Sequence, residues 1–142
     1  MFRQITDTVY ASPQIGTDAI AQAQALGIVR IINNRPEGES DDQTGGDEIE
    51  AAARAVGIDY VAIPVTHAGF SEWQVDAMAK ALADAGGPVL AYCRSGTRST
   101  LLWALARAKG GENPETIAAS AQGAGYDVTP VRPLLDMLSA KG

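Results

Sequence analysis

One octapeptide concentrates the chemistry of this chain: Tyr92-Cys93-Arg94-Ser95-Gly96-Thr97-Arg98-Ser99, which holds the single cysteine among 142 residues. The apolar run Pro88-Val89-Leu90-Ala91 leads into it, and a helix-compatible stretch from Ser99 to Lys109 follows. A strand, a glycine-bearing turn and a helix start in succession make an anion cradle. The N–H groups of the turn converge, and the helix N-terminus adds partial positive charge. A thiol seated there is drawn toward thiolate, the form that attacks electrophiles. Arg98 offers a planar fork suited to an oxyanion. The hydroxyls of Ser95 and Thr97 are placed to steady a thiolate or its adduct, and Ser99 to cap the helix and hydrogen-bond the sulfur. Arg94 points away from the cradle, toward acidic groups of a substrate or toward solvent. A lone cysteine is ordinarily a small buried hydrophobe; the glycine, arginines and hydroxyls that follow Cys93 argue for a reactive one.

The elements that position this loop follow from the pattern of apolar runs. Ile5 to Ala11 reads as a short strand or hairpin turning at Thr6-Asp7. Thr17 is expected to cap a helix to Leu26, stopped by Gly27. Ile28 to Ile32 reads as a buried strand and Asn33 to Gly46 as a long polar loop. A helix over Asp47 to Val56, closed by Gly57, and a strand over Tyr60 to Val65 come next. Ser71 and Gln74 form a capping-box pattern opening a helix to Ala85. Val89 to Tyr92 is the strand feeding the cysteine. Asn113-Pro114 and Thr129-Pro130 open two further helices, the last running to about Ala140 with Pro133 tolerated in its first turn. Strands alternating with helices predict an α/β fold, a mostly parallel central sheet flanked by helices, whose ligands lie beyond the carboxyl ends of the strands. Cys93 falls at such an end.

Size and composition set the bounds. At 142 residues the chain reads as a single domain over 1–142, with 46% hydrophobic and 20% charged residues, as in soluble globular proteins. A net charge of −6 provides no broad footprint for nucleic acid or an anionic membrane, so a bound anion needs a local site. One cysteine excludes an internal disulfide and the usual zinc clusters, and no metal or other cofactor is expected. No signal core or membrane-length apolar run is evident, which points to the cytoplasm. The acidic run Glu37 to Asp47 lacks calcium-loop spacing and reads as a solvated loop.

Four segments, in order, carry a resemblance: Val9-Tyr10-Ala11-Ser12-Pro13-Gln14, Ile31-Ile32-Asn33-Asn34-Arg35-Pro36, Tyr60-Val61-Ala62-Ile63-Pro64-Val65 and the loop Cys93 to Ser99. With them the chain resembles the bacterial beta-lactamase hydrolase-like, phosphatase-like family, which has the cysteine-dependent fold of dual-specificity phosphatases. That resemblance implies Cys93 as nucleophile and Arg98 as anion ligand. Two departures bear on function. Phosphatases of this fold place five residues between the two, whereas four separate Cys93 from Arg98 here, and Cys-Arg-Ser-Gly-Thr-Arg-Ser is similar to the loop of rhodanese sulfurtransferases. The resemblance also implies an acidic Asp after the Ile-Pro-Val strand, where this chain has Thr66-His67-Ala68-Gly69-Phe70. His67, the only histidine, is the best substitute acid; Asp41 and Asp42 stand in the long loop. Arg35, just past the Ile28 to Ile32 strand, is a second anion-pocket candidate or a surface ion pair. Phe70 and Trp73 flank the His67 loop; core packing is expected of Trp73 and Trp103.

A tight cradle and a missing acid favour sulfur transfer, because thiolates leave without much protonation. The first expectation is therefore a sulfurtransferase that moves a sulfane sulfur from thiosulfate or a glutathione persulfide, through a Cys93 persulfide, to a thiol acceptor. The alternative is a phosphatase of the protein-tyrosine or dual-specificity kind, taking a phosphorylated substrate through a Cys93 phosphocysteine. A third reading is a non-catalytic anion-binding or redox-sensing module.

Overall fold

The computed structural model describes residues 2–141. Strands β1 (Arg3–Thr6) and β2 (Val9–Ser12) form the expected hairpin, its turn at Asp7-Thr8 rather than Thr6-Asp7. There follow α1 (Ile20–Ala25), β3 (Arg30–Asn33), α2 (Gly46–Ala55), β4 (Asp59–Ala62), α3 (Glu72–Ala83), β5 (Val89–Tyr92), α4 (Thr97–Lys109), α5 (Pro114–Gly123) and α6 (Arg132–Lys141). The sheet runs β1-β2-β5-β3-β4, antiparallel only between β1 and β2. The α/β expectation, a mostly parallel sheet between helices, is what the structure has.

Alternation along the strands explains the two layers. On β5, Val89 and Ala91 face the larger core, built with Met78 of α3, Leu102 and Trp103 of α4, Ile117 of α5 and Leu135 of α6. Leu90 and Tyr92 face the other side, against Ile20 of α1, Ile31 of β3 and Ile49 of α2. Side chains one residue apart point to opposite faces of a strand, so a strand buried on both faces reads as an unbroken apolar run. Its central position leaves all four residues of β5 buried.

Several local expectations need correction. Thr17 does not cap α1: residues Thr17–Ala19 form a 3-10 turn behind Gly16, without a side-chain cap. The ladder of β4 stops at Ala62, although Ile63 and Val65 N–H groups still donate to Asn33 and Asn34 carbonyls at 2.9 Å. Asn113 does cap α5, accepting the Glu115 N–H at 2.7 Å. At the last helix Asp127, not Thr129, makes the turn, taking the Thr129 N–H at 2.9 Å. Trp103 is buried as expected, but Trp73 is 57% exposed. On the first turn of α3 the inward place belongs to Gln74, whose amide accepts the Ser71 N–H at 2.8 Å and donates to Pro64 O at 2.9 Å. Among the described residues no helix is long and apolar enough to cross a membrane.

Candidate active site

Strand β5 delivers Cys93 to the carboxyl edge between the ends of β2 and β3, whose Ser12 and Asn33 lie in register with Tyr92. Cys93 N–H donates to Ser12 O at 3.3 Å, Asn34 N–H to Tyr92 O at 2.8 Å, and Gln14 N–H to Arg94 O at 3.2 Å. The loop base is thus tied to both neighbouring strands. The sulfur accepts the Gly96 N–H at 3.1 Å, and the whole residue is buried. Gly96 adopts φ 93°, the left-handed region that favours glycine. A Cβ there would lie 2.1 Å from Tyr126 Oη and 3.3 Å from the Ser12 carbonyl carbon. Tyr126 in turn donates to Ser95 O at 3.2 Å. Gly96 O closes the first turn of α4, accepting the Thr100 N–H at 3.0 Å and its hydroxyl at 2.9 Å.

Because the glycine itself makes the turn, α4 starts at Thr97, two residues earlier than expected. Ser99 is consequently a helix-interior residue rather than a cap. It is 1% exposed, and its Oγ has no hydrogen-bond partner, the sulfur included. Ser95 and Thr97 are exposed and pair with each other, Oγ to Oγ1, at 3.1 Å. Arg94 is exposed at the rim.

Arg98 is held from outside the loop. Its Nη1 donates to Glu39 Oε2 and Val65 O, each at 2.7 Å, and its Nη2 to Glu39 Oε1 at 2.8 Å. A guanidinium carries five N–H bonds in a fixed plane. Three are thereby used, leaving Nε–H and one Nη2–H, which share the opposite edge of the fork. The Glu39 hydrogen bond raises the Arg98 pKa against the opposing effect of burial, and the nearby Cys93 adds to the rise.

Glu39 was not singled out in the sequence, and it is the residue that joins the parts. Besides Arg98 it accepts Arg35 Nε at 2.8 Å. Arg35, only 4% exposed, also donates to Gln14 Oε1 and Ser40 Oγ at 3.0 Å each. Arg35 therefore lies behind the cradle, one carboxylate removed from Arg98, and not in a surface ion pair. Hydrogen bonding from Arg98, then from Arg35, outweighs burial and lowers the Glu39 pKa to about 2. The acidic run is not simply solvated: Glu37 accepts the Gly46 N–H at 2.9 Å, and Gln43 bridges Glu39 N–H and Pro36 O at 2.9 Å each. Ser40 Oγ donates to Asp42 Oδ1 at 2.6 Å. This bond lowers the Asp42 pKa, and Arg35 and Arg94 add smaller contributions. His67 is exposed on a turn in which Gly69 N–H meets Thr66 O at 3.3 Å. Among the described residues no group of three or more His, Cys, Asp or Glu could hold a metal ion.

Residues 1–110 match the family model described as beta-lactamase hydrolase-like protein, phosphatase-like domain. A crystallised protein of Neisseria meningitidis Z2491, described as a candidate phosphatase, is 34% identical with a TM-score of 0.84 over 96% of each chain. The beta-lactamase hydrolase-like protein of Xylella fastidiosa (strain Temecula1 / ATCC 700964) is 34% identical over 125 residues, 87% of this chain and 29% of its own length. The chain thus spans under a third of that relative. P. aeruginosa TpbA shares the fold, with a TM-score of 0.69 at 18% identity over 99% of this chain and 89% of that one.

These findings overturn the sulfur-transfer expectation, since family and structural relatives alike are phosphatase-like. The inference from loop length fails for a physical reason. Arg98 is set by Glu39 and Val65 from other loops, so counting residues between cysteine and arginine does not measure the cradle. The chain belongs to the beta-lactamase hydrolase-like protein, phosphatase-like domain family.

Proposed function

We propose that this chain is a cysteine-dependent phosphoric monoester hydrolase. The observation that carries the reading is the two-sided use of Arg98: one side of its guanidinium is clamped on Glu39 and Val65 O, which leaves the edge of Nε–H and Nη2–H on the side of Cys93. That edge suits two oxygens of a phosphoryl group bound bidentately. The Cys93 thiolate attacks phosphorus, forming an S–P bond as the P–O ester bond breaks and its electron pair leaves with the oxygen. Water then attacks the phosphocysteine, the P–S bond breaks, and phosphate is released with the thiolate restored. The Gly96 N–H steadies the sulfur in both steps. Helix α4, starting at Thr97, adds its N-terminal partial charge to the cradle. In this reading Glu39 is a positioning residue, and Arg94, Ser95 and Thr97 line the rim that meets the substrate.

A phosphorylated partner is consistent with the relatives: a cysteine-to-serine form of TpbA was crystallised with phosphotyrosine. The test is phosphate release from 4-nitrophenyl phosphate and phenyl phosphate, with acid-quench trapping of the phosphoenzyme. Turnover and trapped phosphate on Cys93, both absent in Cys93→Ser, are expected. A folded wild-type protein that hydrolyses neither ester refutes the assignment.

A further inference from the structure

Transfer of a phosphoryl group to a thiolate leaves an electron pair on the departing oxygen. An alkyl oxygen leaves at a useful rate only when a proton reaches it in the same step. The oxygen of an acidic phenol or of a phosphate leaves as the anion. The groups around the cradle therefore bear on which esters it can cleave.

The carboxylate held against Arg98 is Glu39, and its oxygens accept three guanidinium N–H bonds at 2.7, 2.8 and 2.8 Å. At neutral pH it is an anion with no proton to give. Three residues further along, Asp42 spends Oδ1 as acceptor of the Ser40 hydroxyl at 2.6 Å, with Arg35 and Arg94 favouring its charged form. On the opposite wall the Tyr126 hydroxyl donates to Ser95 O at 3.2 Å. Past the end of β4, Val65 gives Arg98 its carbonyl, and the turn that follows exposes His67 to solvent. Arg98 and Arg94 thus bring fixed positive charge to the cradle, with Arg35 behind it, and the carboxylates of Glu39 and Asp42 are committed as acceptors. Fixed positive charge stabilises a leaving anion; it does not protonate one.

We infer that the site takes phosphoryl groups carried on weakly basic leaving oxygens, aryl phosphates and phosphoanhydrides, which depart unprotonated, ahead of alkyl phosphates. This inference rests on the phosphatase reading and deepens it.

The experiment measures kcat/KM of the wild-type chain for phenyl phosphates whose phenols span a range of acidity, with ethyl phosphate as the alkyl member. An acid catalyst contributes about 100- to 10,000-fold. Without one, kcat/KM is expected to fall by about 100-fold or more from 4-nitrophenyl to phenyl phosphate, with ethyl phosphate essentially inert. The same steep series is expected for His67→Ala and Asp41→Asn. A flat series overturns the inference while leaving the phosphatase reading intact. So does a moderate slope that steepens in either variant, since the substituted residue was then supplying the proton. No turnover of any member overturns both.

Discussion

Replacing Glu39 by glutamine tests the clamp on Arg98 with almost no change of shape. Glutamine keeps one acceptor oxygen but loses the charge and turns an NH2 toward a guanidinium. The carboxyl is 17% exposed and its pKa lies at about 2 against an ordinary 4.5. By linkage that difference corresponds to about 3 kcal/mol at neutral pH, and solvent at the loop edge trims it to about 2 kcal/mol. Urea titrations should therefore show Glu39→Gln about 2 kcal/mol less stable at pH 7. The folded pKa is depressed, so this contribution is fully present above pH 4.5 and is lost as pH falls from there toward about 2. The gap between wild type and variant should stay constant from pH 6 to 8 and close on acidification through that window. With Arg98 free to swing, kcat/KM for 4-nitrophenyl phosphate should drop by about 10- to 100-fold, whereas the fold survives. A variant as stable as wild type at pH 7, or a gap as large at pH 2 as at pH 7, refutes the clamp.

Gly96→Ala combines a strained φ with a Cβ 2.1 Å from Tyr126 Oη; turnover should fall below detection while circular dichroism still reports the α/β fold. Arg98→Lys replaces the fork by a point charge that cannot hold Glu39 and an oxyanion together. Its Kd for inorganic phosphate, read by competition, should weaken at least about tenfold. Asn113→Ala removes the cap of α5 on the far side of the larger core, costing about 1 kcal/mol in urea titrations with kcat unchanged. A loss of activity there would show that α5 communicates with the cradle.

Much of the scaffold was legible in the sequence because it is local. The strand Val89–Tyr92 is an apolar run closed by turn residues, and the Asn113-Pro114 start is capped as its residue types dictate. The turn after Cys93 is local too, the Gly96 N–H and the sulfur it meets belonging to one octapeptide. Glu39 was not. It meets Arg98 across 59 positions, and a loop of acidic and glycine residues has a composition that reads as solvated. Ser99 was misjudged because the left-handed φ of Gly96 starts the helix early and turns the hydroxyl inward. Trp73 was assigned to the core on residue type alone, although the smaller Gln74 takes the inward position through two hydrogen bonds.

The order of the sheet has a consequence for how the molecule comes into being. Strand β5 is the last of the five to be synthesised, yet it occupies the middle, between β2 and β3. Until residues 89–92 exist, the hairpin of β1 and β2 and the pair of β3 and β4 are two separate ribbons with unsatisfied inner edges, exposed to pairing with other chains. Closure joins segments some eighty residues apart in sequence, β2 to β5, so the rate-limiting nucleus is expected to be non-local and slow for a protein of this size. Cys93 follows the closing strand directly. The thiol therefore becomes enclosed in the same event that makes the sheet whole, and a partly folded chain presents it open to oxidants.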